Sequence, residues 1–410
     1  MKRKNWYKLD SVGKFYASIS SKQIPNVFRY SCILNCDIDE NVLQSALNNT
    51  IELYPNFNVN LKKGIFWYYL DETHKKFKVT KENLPICFRI YNNDDDFLYR
   101  VSYYKNKINF EVSHILSDGR GSVEFFKVLI SNYLKIYYKI KDYNVVTNNS
   151  NLEKSEDSFV KYYKKTHKYS RKRPKIYMYK GRKTKNTRYM ECHINTEKIL
   201  ELAHKYNATI TEFLVSLLIY SFKDELSLKD YNKSIKIDIP VDLRTFFKST
   251  SSKNFFGLTY VTYKFNSNLD TLENIISNVQ KQFKENITKE KLSERANLMV
   301  SFEKNIFCRI TPIFLKNYVL KIIDRFTAQM CTSCLSNIGV IKFDEEIKDY
   351  IKSVSVLTST TGFQFTICSF KDAFSIGISN IFKYNDVIKN FLRFLSSNGL
   401  DIVIDFNGDD

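Results

Sequence analysis

Five histidines occur in the 410 residues: His74, His114, His167, His193 and His204. Imidazole is the side chain whose ordinary pKa of roughly 6.5 suits proton removal near neutrality. His167 sits in a basic run, His204 on a surface-like helical turn and His74 in a charged loop. His114 differs in setting: an alternating segment leads to it, a glycine-containing turn follows, and Asp118 comes four residues on. Loop residues held by rigid elements are where chemistry concentrates. Spacing alone leaves two readings open, a general base with its orienting carboxylate, or an incidental histidine beside a helix-capping aspartate. No other catalytic pattern competes. There is no phosphate-cradling glycine loop and no Gly-x-Ser-x-Gly elbow, and the chain has only 11 glycines. Cys331-Thr-Ser-Cys334 has redox or zinc spacing, but a structural zinc needs four ligands and no second pair exists, so no metal is expected.

The elements around His114 read as a hairpin and a helix. Phe97 to Tyr103 precede a Lys105-Asn106 turn, after which Ile108, Phe110 and Val112 alternate with Asn109, Glu111 and Ser113. Past Gly119-Arg120-Gly121, an apolar stripe from Val123 through Phe126, Leu129 and Tyr133 to Tyr137 predicts a helix opening at Ser122 as N-cap. Leu43 to Tyr54 also has helical spacing.

Residues 144–158 are rich in Asn and Ser, and Lys161 to Arg188 hold 13 Lys or Arg and no acid. This stretch reads as a crossover linker, giving an N-terminal subdomain over 1–165, a linker over 166–190 and a C-terminal subdomain over 191–410. Its other reading is nucleic-acid binding, because Tyr162, Tyr163, Tyr169, Tyr177 and Tyr179 interleave with the cations. No nucleic-acid-binding motif accompanies the run, so the linker reading is preferred. Beyond it, Thr209-Ile-Thr-Glu212 is a capping box, Ile235 to Val241 alternate as a strand ending at Arg244, and a strand follows over Phe255 to Phe265. Helical stretches are expected from Leu272 to Phe326. A hairpin is expected where Phe363, Phe365 and Ile367 face Phe374, Ile376 and Ile378, with a last helix over Asn385 to Leu395.

Composition bounds the class. Hydrophobic residues make up 43% and aromatics 15%, with 32 Phe and 28 Tyr, enough for large cores and against disorder. The net charge of +19 is compatible with nucleic acid, an anionic membrane surface or a polyanion such as coenzyme A, and equally with a genome biased to Lys. Eight scattered cysteines form no disulfide framework. No apolar stretch follows the charged start, and the longest uncharged apolar run, Phe213 to Phe222, falls short of the ~20 residues of a membrane span. A soluble cytoplasmic protein is expected.

Ordered along the chain, four segments resemble the superfamily of chloramphenicol acetyltransferase, nonribosomal-peptide condensation domains and alcohol acetyltransferases. Ser113-His114-Ile-Leu-Ser-Asp118-Gly119 is similar to its HxxxDG motif and Pro240-Val-Asp-Leu-Arg244 to its Pro-Val-(Asn/Asp)-Leu-Arg strand end. Asn254-Phe-Phe-Gly257 and Ser336-Asn337-Ile-Gly339 match two later segments, and the Thr209 helix sits where that family places one. The resemblance implies two similar α/β sandwich domains with a channel between them and His114 at its middle. It implies acyl transfer from an acyl-CoA or acyl-carrier-protein thioester, as co-substrate without a further cofactor, to a small alcohol or amine, the alcohol preferred. It assigns His114 as base, pairs Asp118 with Arg244 as a bidentate support, and gives Gly119 the tight turn. Asn254, Gly257, Ser336 and Asn337 become candidate substrate-binding residues, with Ser336, Asn337 and Thr358 to Thr361 as candidate oxyanion donors. Ser113 stands where condensation domains carry a second histidine, and neither Trp6 nor Trp67 can supply the Asp-Phe-Gly-Trp-Gly motif of plant acyltransferases. The alcohol acetyltransferase-like subgroup is therefore nearest. The alternative is a non-catalytic binding or scaffold protein on the same fold, against which the intact His114, Asp118 and Arg244 set argues.

Overall fold

A computed structural model describes residues 5–91, 96–141, 143–145, 151–165, 174–266, 270–328 and 330–407. The expected hairpin forms: strands Tyr99–Tyr104 and Lys107–Ser113 pair antiparallel around a turn where Lys105 takes φ 49°. They belong to a five-stranded sheet ordered Ile351–Thr358, Val27–Leu34, Lys107–Ser113, Tyr99–Tyr104, Thr80–Lys81. Helices Glu40–Leu53 and Gly119–Tyr137 cover one face, burying Phe57, Phe110, Phe125 and Phe126 in the first core. A three-stranded sheet, Trp6–Lys8, Tyr68–Glu72 and Val59–Lys63, flanks it.

The other face of this sheet departs from the expectation. Alternating strands normally turn their polar residues to water. Here Asn109, Glu111 and Ser113 are buried. Glu111 is fully buried and paired: Arg29 donates Nε to it at 2.9 Å, Arg100 Nε at 2.7 Å, and the Cys87 backbone N–H at 2.7 Å. Glu82 holds the other end of Arg29 at 2.5 Å. A buried charge persists only with such partners.

The second lobe is a seven-stranded sheet ordered Phe256–Tyr263, Ile235–Asp242, Ser333–Val340, Phe363–Phe370, Ala373–Phe382, Lys183–Asn195, Val403–Asn407. Helix Ile210–Ser221, opened by the Thr209–Glu212 capping box, and helices Thr196–Lys205, Leu272–Asn286 and Val387–Ser397 pack on it. The expected long helical stretch resolves into four helices, Leu272–Asn286, Lys289–Lys304, Ile306–Ile310 and Ile313–Ala328. Thr271, Thr288 and Asn305 cap the first three, each accepting backbone N–H bonds at its helix start.

Two stretches cross the expected domain division. Strand Ile351–Thr358, assigned by sequence to the C-terminal subdomain, pairs with Val27–Leu34 as the edge of the first lobe's sheet. Residues 183–190, assigned to the linker, are strand in the second. Residues 166–173 of that linker, with Tyr169 and His167, lie outside the described residues. Three of the tyrosines read as interleaving for nucleic acid are otherwise engaged: Tyr177 is buried and donates to the Glu225 carbonyl, Tyr179 donates to the Tyr384 carbonyl, and Tyr162 stacks on Phe255. The lobes meet where Ile351–Thr358 lies on Ala373–Phe382. A Cβ at Gly377 would fall 1.9 Å from the Val356 carbonyl, so only glycine permits that approach.

Candidate active site

Strand Lys107–Ser113 delivers the chain into a turn at His114. The His114 N–H donates to the Asn26 carbonyl at 2.8 Å, tying the turn to the start of strand Val27–Leu34. The imidazole lies between rings, with Phe28 at 4.7 Å and Tyr16 stacked at 4.9 Å. Tyr16 comes from helix Ser11–Ile19. Gly13 lets that helix approach, since a Cβ there would lie 2.7 Å from the Ile115 carbonyl. Among these rings Nδ1 is buried without a hydrogen-bond partner. Burial lowers the His114 pKa to about 4, opposed by the Asp118 charge and by Asn254. At neutral pH the ring is the free base.

Asp118 is the N-cap of helix Gly119–Tyr137, four residues before the expected Ser122, because its Oδ1 accepts from the Gly121 N–H at 2.6 Å. Ser122 is buried inside the helix with no partner for its hydroxyl. The other Asp118 oxygen accepts from the Phe255 N–H at 2.6 Å and from Arg244 Nη1 at 3.0 Å. Of the two open readings of Asp118 the capping one describes its bonds: the carboxylate caps the helix and ties it to the second lobe, and its oxygens go to Gly121, Phe255 and Arg244. The pair is not the expected bidentate one. Arg244 gives Asp118 a single nitrogen, shares it with Asp242 at 3.0 Å, and spends Nε and Nη2 on the carbonyls of Ser251 and Lys253. The guanidinium thereby fixes the loop before Asn254 as well as the His114 turn.

Gly119, expected to allow the tight turn beside His114, is the first residue of the helix, and what it provides is space. A Cβ would lie 2.9 Å from Ile338 Cδ1 and 3.3 Å from the Tyr30 hydroxyl, which donates to the Gly119 carbonyl at 2.5 Å. Gly121 is tighter, 2.3 Å from the Ser252 carbonyl. Asn254 is buried. Its Nδ2 donates to the His114 carbonyl at 3.0 Å and to Asp10 Oδ2 at 3.0 Å, so it bridges the turn to helix Ser11–Ile19. Burial raises the pKa of Asp10, the N-cap of that helix, to about 7. Gly257 lies within its strand against Leu243 and Leu292. Asn337 is exposed, donating to Thr211 and accepting from the Gly339 N–H at a bulge in its strand. Ser336 pairs in register with Thr366, whose hydroxyl lies 3.3 Å from that of Thr358. Thr358 pairs with Phe28, beside His114. Sequence reading missed Asp10, Gly13, Tyr16 and Phe28. An aspartate before an amphipathic helix was the legible signal for Asp10; nothing local marks the others.

A cleft of about 570 Å³ opens on the clamp side, where Arg120, Lys127 and Lys154 face Glu124, Asp242 and Asp344. Its mixed charge singles out no polyanion. Among the described residues, Glu191, His193 and Asp405 bring ligand atoms within 4.8 Å of one another. Lys107 Nζ already sits 2.5 Å from Glu191, and Ser375 lies 3.0 Å from His193 Nδ1, so an ammonium fills the cation's role.

No protein-family model and no curated protein sequence matches the chain. Solved structures do. Fusarium sporotrichioides TRI101, complexed with coenzyme A and T-2, aligns with a TM-score of 0.66 at 9% identity, over 98% of this chain and 100% of that one. This chain shares that fold. Polyketide synthase associated protein 5 from Mycobacterium tuberculosis follows at 0.62 and 12%, over 96% and 97%. The epimerization domain of tyrocidine synthetase B gives 0.61 and 12%, over 97% of each chain. At such identities the likeness fixes the two-lobed architecture, which covers this whole chain. No helix among the described residues is long and apolar enough to cross a membrane.

Proposed function

We propose that this chain is an acyltransferase that moves an acyl group from a thioester to a hydroxyl, with His114 as general base. The observation that carries the reading is the setting of the imidazole: in the turn after strand Lys107–Ser113, packed between Phe28 and Tyr16, held neutral by burial and with Nδ1 lacking a partner. The acceptor oxygen attacks the thioester carbonyl while Nε2 takes its proton. The tetrahedral intermediate then expels the thiolate, which recovers that proton as the free thiol. Holding donor and acceptor in one channel adds the gain of positioning. Coenzyme A is the favoured donor carrier, since TRI101 was solved with it on the same fold; an acyl-carrier protein is the other candidate. Asp118 and Arg244 act as positioning residues and carry no proton, because their hydrogen-bonding capacity is spent on each other and on backbone. Asn254 joins them through the His114 carbonyl. Ser336 and Thr358 are the hydroxyls proposed for the oxyanion.

The test is thiol release from short- and long-chain acyl-CoA with a panel of alcohols and amines. Acceptor-dependent release is expected from wild type, and His114→Ala should lower turnover by about 10² to 10⁴. Turnover in the variant comparable with wild type would refute the assignment of the base. No release from any acyl-CoA, followed by none from an acyl-loaded carrier protein, would refute acyl transfer.

A further inference from the structure

Helix Ile313–Ala328 keeps most of its large apolar residues outside. Its protein-facing side mixes Ile313 and Leu320 with polar residues: Lys316 is buried and donates to the Phe66 carbonyl at 2.8 Å, Asn317 donates to the Tyr68 hydroxyl at 2.8 Å, and Asp324 is half-buried. Its outward side is apolar, with Phe314 63% exposed, Tyr318 68% and Phe326 63%. The two preceding helices, Lys289–Lys304 and Ile306–Ile310, add Phe302 at 71% and Phe307 at 73%. Isolated exposed apolar residues are ordinary, but a contiguous aromatic face of this extent marks an interaction surface. The charges exposed along 299–326 are Lys304, Arg309, Lys321 and Arg325, all cationic.

We propose that this face docks onto an anionic lipid surface. Phe and Tyr side chains on an amphipathic helix suit the acyl–headgroup boundary, and long cationic side chains among them reach anionic headgroups. The charge argues against a second copy as the occupant, because two such faces would oppose their four cations within a chain of net charge +19. The helix lies in the plane of the surface and does not span it. Behind it packs helix Ser11–Ile19, whose Tyr16 stacks on His114, so the docked face stands one helix away from the imidazole.

The experiment is co-sedimentation of the full chain with phosphatidylcholine vesicles, with and without phosphatidylserine, at low and high salt. Wild type is expected to pellet with the anionic vesicles and to be partly released by salt. The double variant F307D/F314D should bind at least about tenfold more weakly, having lost two apolar rings from the interface. Both rings are exposed, and an unchanged thermal melt would show that the variant folds. Absence of wild-type binding, or equal binding by the variant, overturns the proposal. A wild-type dimer that F307D/F314D converts to monomer, without vesicle binding, would give the face to a second copy and overturn it equally. The readout is binding and does not depend on acyl transfer.

Discussion

His114 and Asp118 stand four residues apart at the two ends of one buried turn, yet their surroundings are opposite. Every oxygen of Asp118 is used, by two backbone N–H groups and by Arg244 from the other lobe. The imidazole is instead packed among rings, with one nitrogen orphaned and its protonated form disfavoured. A buried polar group with all its partners is architecture; one kept without them is held at a cost that something other than folding repays. The turn therefore separates into an anchored end and an end that we propose to be the reactive one. The anchor spans both lobes, so it also fixes what faces the imidazole.

The contrast predicts different failures. The largest belongs to the anchored end. Asp118→Ala leaves Arg244 buried against lost bonds and should destabilise the chain by about 3–5 kcal/mol, read as a lower denaturant midpoint. An unchanged midpoint would erase the distinction between the two ends. Next comes the packing beneath the anchor. Gly121→Ala drives a methyl into the Ser252 carbonyl and should cost about 1–3 kcal/mol. Gly119→Ala meets the movable tip of Ile338 and gains helix propensity, so its change should stay within about 1 kcal/mol. Equal losses at the two glycines would mean that backbone approach does not decide the cost.

The smallest effect, in pH dependence, belongs to the reactive end. His114 titrates near 6.5 unfolded and near 4 folded, so the unfolded chain binds the proton first. Its contribution is present above 6.5 and is lost as pH falls toward 4. Asp10 runs oppositely: raised from 3.8 to about 7, it contributes below 3.8, and that contribution is lost as pH rises through 7. The two slopes oppose each other across the shared window. Asp10→Asn keeps a side chain able to cap the helix and removes the second slope, so stability should rise more steeply with pH between 4 and 7 than in wild type. A flatter profile in a urea titration series would reverse the assignment.

Local chemistry made much of this legible. The hairpin before His114, the capping box at Thr209 and the motif around Arg244 lay in short segments whose period or spacing has a local cause. The Asp118–Arg244 pairing was legible only through the resemblance, and not in its single-nitrogen form. What escaped was set by partners distant in sequence. Nothing beside Glu111 announces Arg29 or Arg100, and Tyr16 carried no mark of its place on His114. Strand Ile351–Thr358 read as part of the second lobe because chain order says nothing of which sheet edge is free.

By itself the sequence determined the hairpin before His114, the capping-box helix at Thr209, which histidine stands in a turn and which aspartate follows it, because capping, alternation and spacing act within a few residues. Only the tertiary structure decided which polar groups went inside with partners and which apolar ones stayed outside without them. The same alternation that buried Glu111 against two arginines could have left it in water. The same helical period that would bury Phe314 instead buries Lys316. Burial is a property of what lies opposite, and what lies opposite is supplied by the rest of the chain.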